Sequence, residues 1–341
     1  MKPLNELYYE INELLKKIDF NNLWDGFKPL KFALYNDKKC FFNGEYIEKT
    51  DAFLANTSIN YQGEVIAIWN VMEEMDPILL TSKMVHEMYH GFQMINKESR
   101  FCDELDSLYK YKYDDMNLSI KIEENKLLNE LLDNYDSNKY NRLLQLRKYR
   151  YQNYNYEYSY EASIEQIEGT ANYIELMVLK ELSNELYLNK LNDMKKRIIT
   201  KKEFFPIRIL SYDIGALLLL VLNNNNIPFN KLFNDIPFSI DLIKDTKLKN
   251  FNIIPCFKEE ITEYFNKAKN IIDKAIEGKN LIETNEYDLL GVNVYNAIFY
   301  NNYIISIYFV MYGDMNNPII KYGNFVIESK KYKKLTKLYM Y

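Results

Sequence analysis

Both histidines of this 341-residue chain lie in one short segment, His86–His90, which has the pattern H-E-x-x-H. The segment falls in a predicted helix that begins at Asp76-Pro77, an N-cap residue followed by proline at the first helical position, and runs to about Asn96. Four residues turn a helix by about 400°, so both imidazoles project from one face. This spacing predicts that the two imidazoles bind one metal ion while Glu87 accepts a proton from water.

Two ordinary histidines that happen to fall four residues apart are the alternative interpretation of this segment. The apolar residues of the helix form a separate stripe that is predicted to face the core: Leu80, Met84, Val85, Met88, Phe92 and Ile95. The residues that flank the histidines on their own side of the helix are Ser82, Lys83, Gln93 and Met94. The helix therefore has one face for packing and another on which chemistry is possible.

A zinc site of this kind needs a third protein ligand and an open position for water or substrate. Because no further histidine exists, a carboxylate must supply the third ligand. A second predicted helix carries acidic residues on one face, and they are Glu161, Glu165, Glu168 and Glu175. A solvated acidic surface is the alternative for such a row. Gly169 argues against that alternative, because glycine inside a helix costs about 1 kcal/mol and is expected where another group approaches closely.

Three motifs in order along the chain resemble the signature of gluzincin metallopeptidases. They are H-E-x-x-H, then E-G-x-A-x-Y-x-E at Glu168–Glu175, then Y-x-x-G-A at Tyr212–Ala216. The resemblance is to the aminopeptidase N type of catalytic domain and its peptidase-MA-like relatives. It implies a zincin-like fold, Zn²⁺ as the cofactor and a peptide or protein as the substrate.

The same resemblance assigns roles to individual residues of this chain. Glu168 is implied as the third zinc ligand beside His86 and His90. Glu175 is implied to orient a ligand histidine through its free ring nitrogen. Tyr212 is implied to donate a hydrogen bond to the oxyanion of the tetrahedral intermediate.

The chain also departs from the family pattern. Residues 91–167 separate the second histidine from Glu168, a far longer gap than in the aminopeptidase pattern. We therefore predict that these residues are an insertion that covers or shapes the cleft. Because of the long gap, Glu165 and Glu161 remain alternative third ligands. The G-x-M-E-N motif that captures a substrate's free amino group is absent, so the cleavage mode stays open. We predict that Asn60–Trp69 provides an edge strand along which a peptide can lie.

The predicted fold class is α+β, with a zincin-like core, a largely helical second half and a small C-terminal β region. Residues 1–96 contain an amphipathic N-terminal helix, an antiparallel sheet with turns at Asn43-Gly44 and Gln62-Gly63, and the H-E-x-x-H helix. Residues 97–252 are predicted to be helical. Their tyrosine-rich stretch, 149–160, merges into a helix to about residue 187, and a buried helix spans 206–222.

The third predicted segment, residues 253–341, begins with an amphipathic helix over 257–277 that Gly278 closes. Strand-prone runs at 292–300, 304–311 and 319–327 then predict a terminal sheet followed by a basic tail. The sequence assigns no role to this segment.

Composition excludes several classes of protein. The net charge of −5, from 43 basic and 48 acidic residues, argues against a nucleic-acid binder. Cys40, Cys102 and Cys256 lie too far apart for a thiolate zinc motif or a disulfide framework. No apolar run reaches the roughly 20 residues that span a bilayer, so we expect no membrane span and a cytoplasmic setting.

Two other functions compete with hydrolysis. The first is a non-catalytic, zinc-binding pseudopeptidase that binds a peptide or protein in the same cleft. The second is a helical interaction module formed by the charged helices at 100–150 and 180–205. The presence of Glu87 favours an enzyme, because a structural zinc site needs no general base.

Overall fold

The structure, a computed structural model, describes residues 2–341. From the N-terminus to the H-E-x-x-H helix, the elements are α1 (Leu4–Leu15), α2 (Phe20–Leu23), β1 (Phe32–Tyr35), β2 (Cys40–Phe42), β3 (Glu45–Ile47), β4 (Thr57–Tyr61), β5 (Glu64–Asn70) and α3 (Pro77–Ile95). The helices that follow are α4 (Glu104–Lys110), α5 (Asp115–Asp133), α6 (Ser137–Asn153), α7 (Asn155–Ile164), a π-helical turn (Glu165–Gly169), α8 (Thr170–Leu182), α9 (Asn184–Ile198), a 3-10 turn (Lys201–Phe204), α10 (Ile207–Asn224), α11 (Phe238–Asp241) and α12 (Lys258–Glu277).

The remaining elements are strands: β6 (Leu281–Glu283), β7 (Tyr287–Val292), β8 (Ile298–Tyr300), β9 (Tyr303–Ser306), β10 (Phe309–Asp314), β11 (Asn317–Tyr322), β12 (Phe325–Glu328), β13 (Lys334–Leu335) and β14 (Lys337–Met340). Helices account for 49% and strands for 18% of the residues, which confirms the predicted α+β class.

The chain divides into two units that alternate along the sequence. The first contains the chain up to Phe101 together with Ile164–Arg197 and Tyr212–Leu242. The second contains Cys102–Ser163, Ile198–Ser211 and Ile243–Tyr341. The sequence instead predicted three consecutive segments, 1–96, 97–252 and 253–341. The difference arises because helices distant in sequence pack together, and such pairings leave no mark in local composition.

The first unit contains one five-stranded sheet, in the order β3-β2-β1-β5-β4. Both predicted turns are confirmed: Asn43-Gly44 joins β2 to β3 and Gln62-Gly63 joins β4 to β5, and all four residues have positive φ. The prediction of a fully antiparallel sheet is wrong for β1 and β5, which pair in parallel. The two edge strands are β3 and β4, whereas β5 lies inside the sheet between β1 and β4.

Helix α3 packs directly on this sheet. Asp76 caps it as predicted, since its Oδ1 accepts from the backbone N–H groups of Ile78 and Leu79 at 2.8 and 3.2 Å. A Cβ added at Gly91 would lie 2.3 Å from Leu30 Cδ1 and 2.8 Å from Ser58 Oγ, so a larger residue would require these two side chains to shift. The predicted apolar stripe of α3 is buried except at its C-terminal end, where Ile95 is 53% exposed.

The helix predicted to continue to about residue 187 is interrupted. It ends at Leu182, and a π-helical turn at Glu165–Gly169 separates α7 from α8. A Cβ on Gly169 would lie 2.8 Å from the Cα of Gly215 in α10, which is the close approach expected from a glycine inside a helix. The predicted buried helix α10 is confirmed. Its length and hydropathy would suit a membrane span, but 78% of it is buried in the protein, as in core helices.

The second unit begins with a helical part held together by buried charges. Arg150 of α6 is fully buried, and its guanidinium donates to Glu161 of α7 at 2.6 and 2.7 Å and to Glu124 of α5 at 3.2 Å. Lys121 of α5 donates to the same Glu161 carboxylate at 2.6 Å. The alternative of a solvated acidic row is therefore wrong here, because Glu161 is 1% exposed.

Two sheets and α12 form the C-terminal part of the second unit. Their strand orders are β11-β10-β7-β13 and β6-β14-β12-β9-β8. The prediction of one terminal sheet with a basic tail is wrong, because residues 334–340 form β13 and β14 and pair with β7, β12 and β6. The predicted helix over 257–277 is confirmed as α12, which packs its apolar face on the five-stranded sheet.

Candidate metal centre

Three side chains converge where α3 meets the π-helical turn. One ligand atom each from His86, His90 and Glu168 can be chosen so that all three lie within 4.8 Å of one another. The two Nε2 atoms are 3.1 Å apart, and His90 Nε2 lies 3.4 Å from Glu168 Oε2. Ligands at 2.0–2.1 Å from a tetrahedral zinc ion are separated by about 3.3 Å. The donor set could therefore hold a metal ion, and two of its three separations are close to this value.

The second ring nitrogen of each histidine faces an acceptor. His86 Nδ1 lies 3.4 Å from Glu175 Oε2, and His90 Nδ1 lies 2.8 Å from Gln93 Oε1. At His90 the hydrogen bond to Gln93 favours the tautomer with its proton on Nδ1, and at His86 the nearby carboxylate favours the same tautomer by its charge, which leaves both Nε2 atoms free to bind a metal. Both imidazoles are thus oriented with Nε2 toward the convergence point.

Gln93 also ties α3 to the helix that follows the π-helical turn. Its Nε2 donates to the Ile167 carbonyl at 3.0 Å and to Thr170 Oγ1 at 3.2 Å, and the residue is 1% exposed. The sequence located Gln93 on the histidine side of α3 but gave it no role. Its position could have indicated this role, because residues three apart in a helix are neighbours on the same face and Gln93 is three residues after His90.

Glu175 is buried and surrounded by positive charge. Lys190 of α9 donates to its Oε1, and Lys83 Nζ lies 3.9 Å from the same atom. Burial alone would raise the pKa of this carboxyl, but Lys190, His86 and Lys83 hold it well below its usual range. Glu175 thus remains an ionised acceptor for His86. Lys190 is a contributor that the sequence analysis missed.

Electrostatics favour a positive charge between His90 and Glu168. Burial lowers the pKa of His90, but the Glu168 carboxylate outweighs burial and raises it to about 9. The two side chains retain 19% and 16% exposure, so solvent reaches this point. A site that attracts a proton this strongly also attracts a metal cation, and the two compete for the same nitrogen.

Glu87 lies on α3 between the two histidines and is 8% exposed. Its burial raises the pKa of the carboxyl above the ordinary value for glutamate. The backbone carbonyl of Glu87 accepts a 2.6 Å hydrogen bond from Ser58 of the edge strand β4. The predicted edge strand therefore lies beside the helix segment that carries the histidines, although it is Thr57–Tyr61 rather than the whole of 60–69.

The remaining predicted residues are located as follows. Tyr212 lies on α10, three residues before Gly215, and is partly buried. Glu165 is buried on the π-helical turn and is also outside that group. Glu161 is held by Arg150 and Lys121 in the second unit, which removes it as a ligand candidate.

Searches against protein-family models, curated proteins and solved structures give no match for this chain.

Replacing Gln93 is expected to weaken metal binding without removing a ligand. Gln93→Leu keeps the side-chain volume but loses the acceptor for His90 Nδ1, so we expect zinc affinity to fall roughly 10–100-fold. Competition titration against a chromophoric chelator measures this change. Gln166→Leu is the matched control, because Gln166 is also buried and its side-chain oxygen accepts from the backbone N–H of Phe238 rather than from a histidine. An equal loss in both variants would contradict a specific role for the His90 contact.

Proposed function

We propose that this protein is a zinc-dependent metallopeptidase with a zincin-like core in its first unit. The observation that carries the proposal is the convergence of His86 Nε2, His90 Nε2 and a Glu168 oxygen at separations that suit one zinc ion. Support also comes from Glu87, an acidic group on the same helix that a purely structural zinc site does not require.

In this proposal His86, His90 and Glu168 hold Zn²⁺, which when bound acts as a Lewis acid on water and on the scissile carbonyl. Glu87 takes a proton from the attacking water and gives it to the leaving amine. Glu175 and Gln93 fix the two imidazole orientations. Tyr212 would donate a hydrogen bond to the developing oxyanion, a role that rests on the family resemblance and on the contact of α10 with the π-helical turn.

The substrate in this proposal is an extended peptide. Strand β4 is at the edge of the sheet and Ser58 connects it to the Glu87 carbonyl, so the backbone groups on its outer side are positioned to pair with an added strand. Main-chain pairing of this kind binds a peptide through its backbone, with little dependence on most of its side chains. Because a small molecule lacks such a backbone, this arrangement suits a peptidase better than an enzyme for small molecules.

Metal removal tests the proposal directly. We expect purified protein to contain one zinc per chain, to cleave members of a peptide library, to lose cleavage on chelation and to regain it when zinc is added. Elemental analysis and mass spectrometry of the library products measure these results. Stoichiometric zinc without cleavage would favour the pseudopeptidase alternative, and absence of zinc binding would contradict the site itself.

The third ligand has its own test. Glu168→Ala removes a metal ligand. Loss of a residue that only orients a ligand weakens zinc binding by up to roughly 100-fold, and we expect Glu168→Ala to weaken it by more than that. Glu165→Ala is the matched control on the same turn, and we expect it to retain zinc. If the two variants exchanged these outcomes in a chelator competition assay, Glu165 would replace Glu168 as the ligand.

A further inference from the structure

The second unit contains a cavity that takes no part in the metal centre. Its volume is about 320 Å³, near the lower end of the range for small-molecule sites, so it suits a ligand with the dimensions of one amino acid. Its walls come from α4 and the segment after it, the start of α10, α12 and the β7–β8 region, all within this unit. Aromatic rings dominate the lining and include Tyr113, Tyr160, Tyr264, Phe265 and Phe299.

Three of the lining tyrosines have hydrogen-bond partners for their hydroxyl groups, and two of those partners, Glu104 and Ile207, themselves line the cavity. Tyr160 donates to Glu104 Oε2 at 2.9 Å, and Tyr111 donates to Glu161 at 2.7 Å. The Tyr113 oxygen accepts from the backbone N–H of Ile207 at 3.3 Å. The tyrosines therefore contribute ring surface rather than free hydroxyls, and such surface binds another aromatic ring by offset or edge-to-face contact.

One pair of opposite charges lies in the cavity wall. Arg208 of α10 donates to Glu104 of α4, and their side chains are 10% and 26% exposed. The Arg208 guanidinium also lies 5.6 Å from the centre of the Tyr295 ring, within the range of a cation–π contact. The cavity thus combines an aromatic wall with one carboxylate and one guanidinium in direct contact, and the exposed Lys112 adds a second cation to the lining.

We propose that this cavity binds a free aromatic α-amino acid as its zwitterion. The ammonium group would bind Glu104, the carboxylate would bind Arg208 through two parallel hydrogen bonds, and the side-chain ring would pack among the tyrosine and phenylalanine rings. A zwitterion satisfies both charges when it opens the pair. An amine or an acid alone would leave one partner without its counter-charge, at a cost in binding energy.

Binding to the unmodified protein is the primary test. We expect L-phenylalanine to bind at least tenfold more tightly than phenethylamine, 3-phenylpropionate or L-alanine, which lack the carboxylate, the ammonium group and the ring respectively. Isothermal titration calorimetry measures the four dissociation constants. Failure of L-phenylalanine to bind, or equal affinity for all three aromatic ligands, would overturn the proposal.

Variants then test the assigned residues. Arg208→Met and Glu104→Gln are each expected to weaken L-phenylalanine binding at least tenfold. Arg142→Met is the matched control, because Arg142 also stacks on a ring, that of Phe251, but does not line this cavity. Unchanged affinity in a folded Arg208→Met protein would contradict the assignment. If that variant does not fold by circular dichroism, the ligand series on the unmodified protein still decides the question.

Discussion

Glu87→Gln is expected to lower the rate of peptide hydrolysis by roughly 10²–10⁴-fold while zinc stays bound, since a general base contributes about this factor. Glutamine has nearly the same shape as glutamate but does not accept a proton from water at neutral pH. Neither His86 nor His90 loses a partner, because their Nδ1 contacts are with Glu175 and Gln93.

The measurement pairs cleavage rates with zinc content on the same preparations. Glu73→Gln, which replaces an exposed glutamate of the first unit, is the control and should behave like the unmodified protein. An unchanged rate of hydrolysis in Glu87→Gln would contradict the assignment of Glu87 as the general base. Loss of zinc in that variant would instead mean that Glu87 takes part in metal binding.

Arg150→Met is expected to reduce the free energy of unfolding by about 3–5 kcal/mol, the usual cost of removing one partner from a buried ion pair. Arg150 contacts Glu161, Glu124 and Asn117, which lie on α7 and α5. Without the guanidinium, Glu161 and Glu124 stay buried, with the cations of Lys121 and Arg147 left near them. Urea denaturation followed by circular dichroism measures the change.

The control for this prediction is Arg142→Met on the same helix, which we expect to change stability by less than about 1 kcal/mol because its partner is a ring rather than a buried carboxylate. Equal destabilisation by the two substitutions would contradict a special role for the buried cluster. A buried ion pair adds little net stability, but removing one of its partners is strongly destabilising because the other charge stays buried. Arg150→Met is therefore expected to change the free energy of unfolding more than Lys-to-Ala substitutions on the surface do.

The same cluster predicts a pH dependence of stability. Burial raises the pKa of Glu161, but Arg150 and Lys121 outweigh burial and lower it to about 2. A carboxyl with a folded-state pKa below its unfolded value of about 4.5 stabilises the fold above pH 4.5, and this contribution is lost as the pH falls toward 2. In Arg150→Met the loss should begin at higher pH, which acid unfolding curves measure.

Local patterns predicted the parts of the site that lie close together in sequence. The spacing of His86, Glu87 and His90 follows from helix geometry, and Asp76-Pro77 marks where that helix begins. The prediction of Glu168 as a ligand depends on the family resemblance. Helix spacing gives no support for it, because residues 91–167 lie between Glu168 and His90. The sequence analysis assigned no role to Gln93 or Lys190. Their partners, Ile167 and Glu175 respectively, lie on other turns or other helices, which local patterns do not bring together.

The sequence by itself determined the helix that carries both histidines, the glutamate beside them and the two hairpins with positive-φ turns. Each depends on residues within about ten positions, where periodicity and turn chemistry act. Only the tertiary structure decided which carboxylate joins the histidines, because helix periodicity puts Glu161 and Glu168 on the same face and only a family resemblance favours Glu168. One is neutralised by Arg150 and Lys121, and the other is brought to His90 by a π-helical turn and the Gly169–Gly215 contact. Such choices depend on packing between distant segments, which a single sequence does not encode in any local pattern.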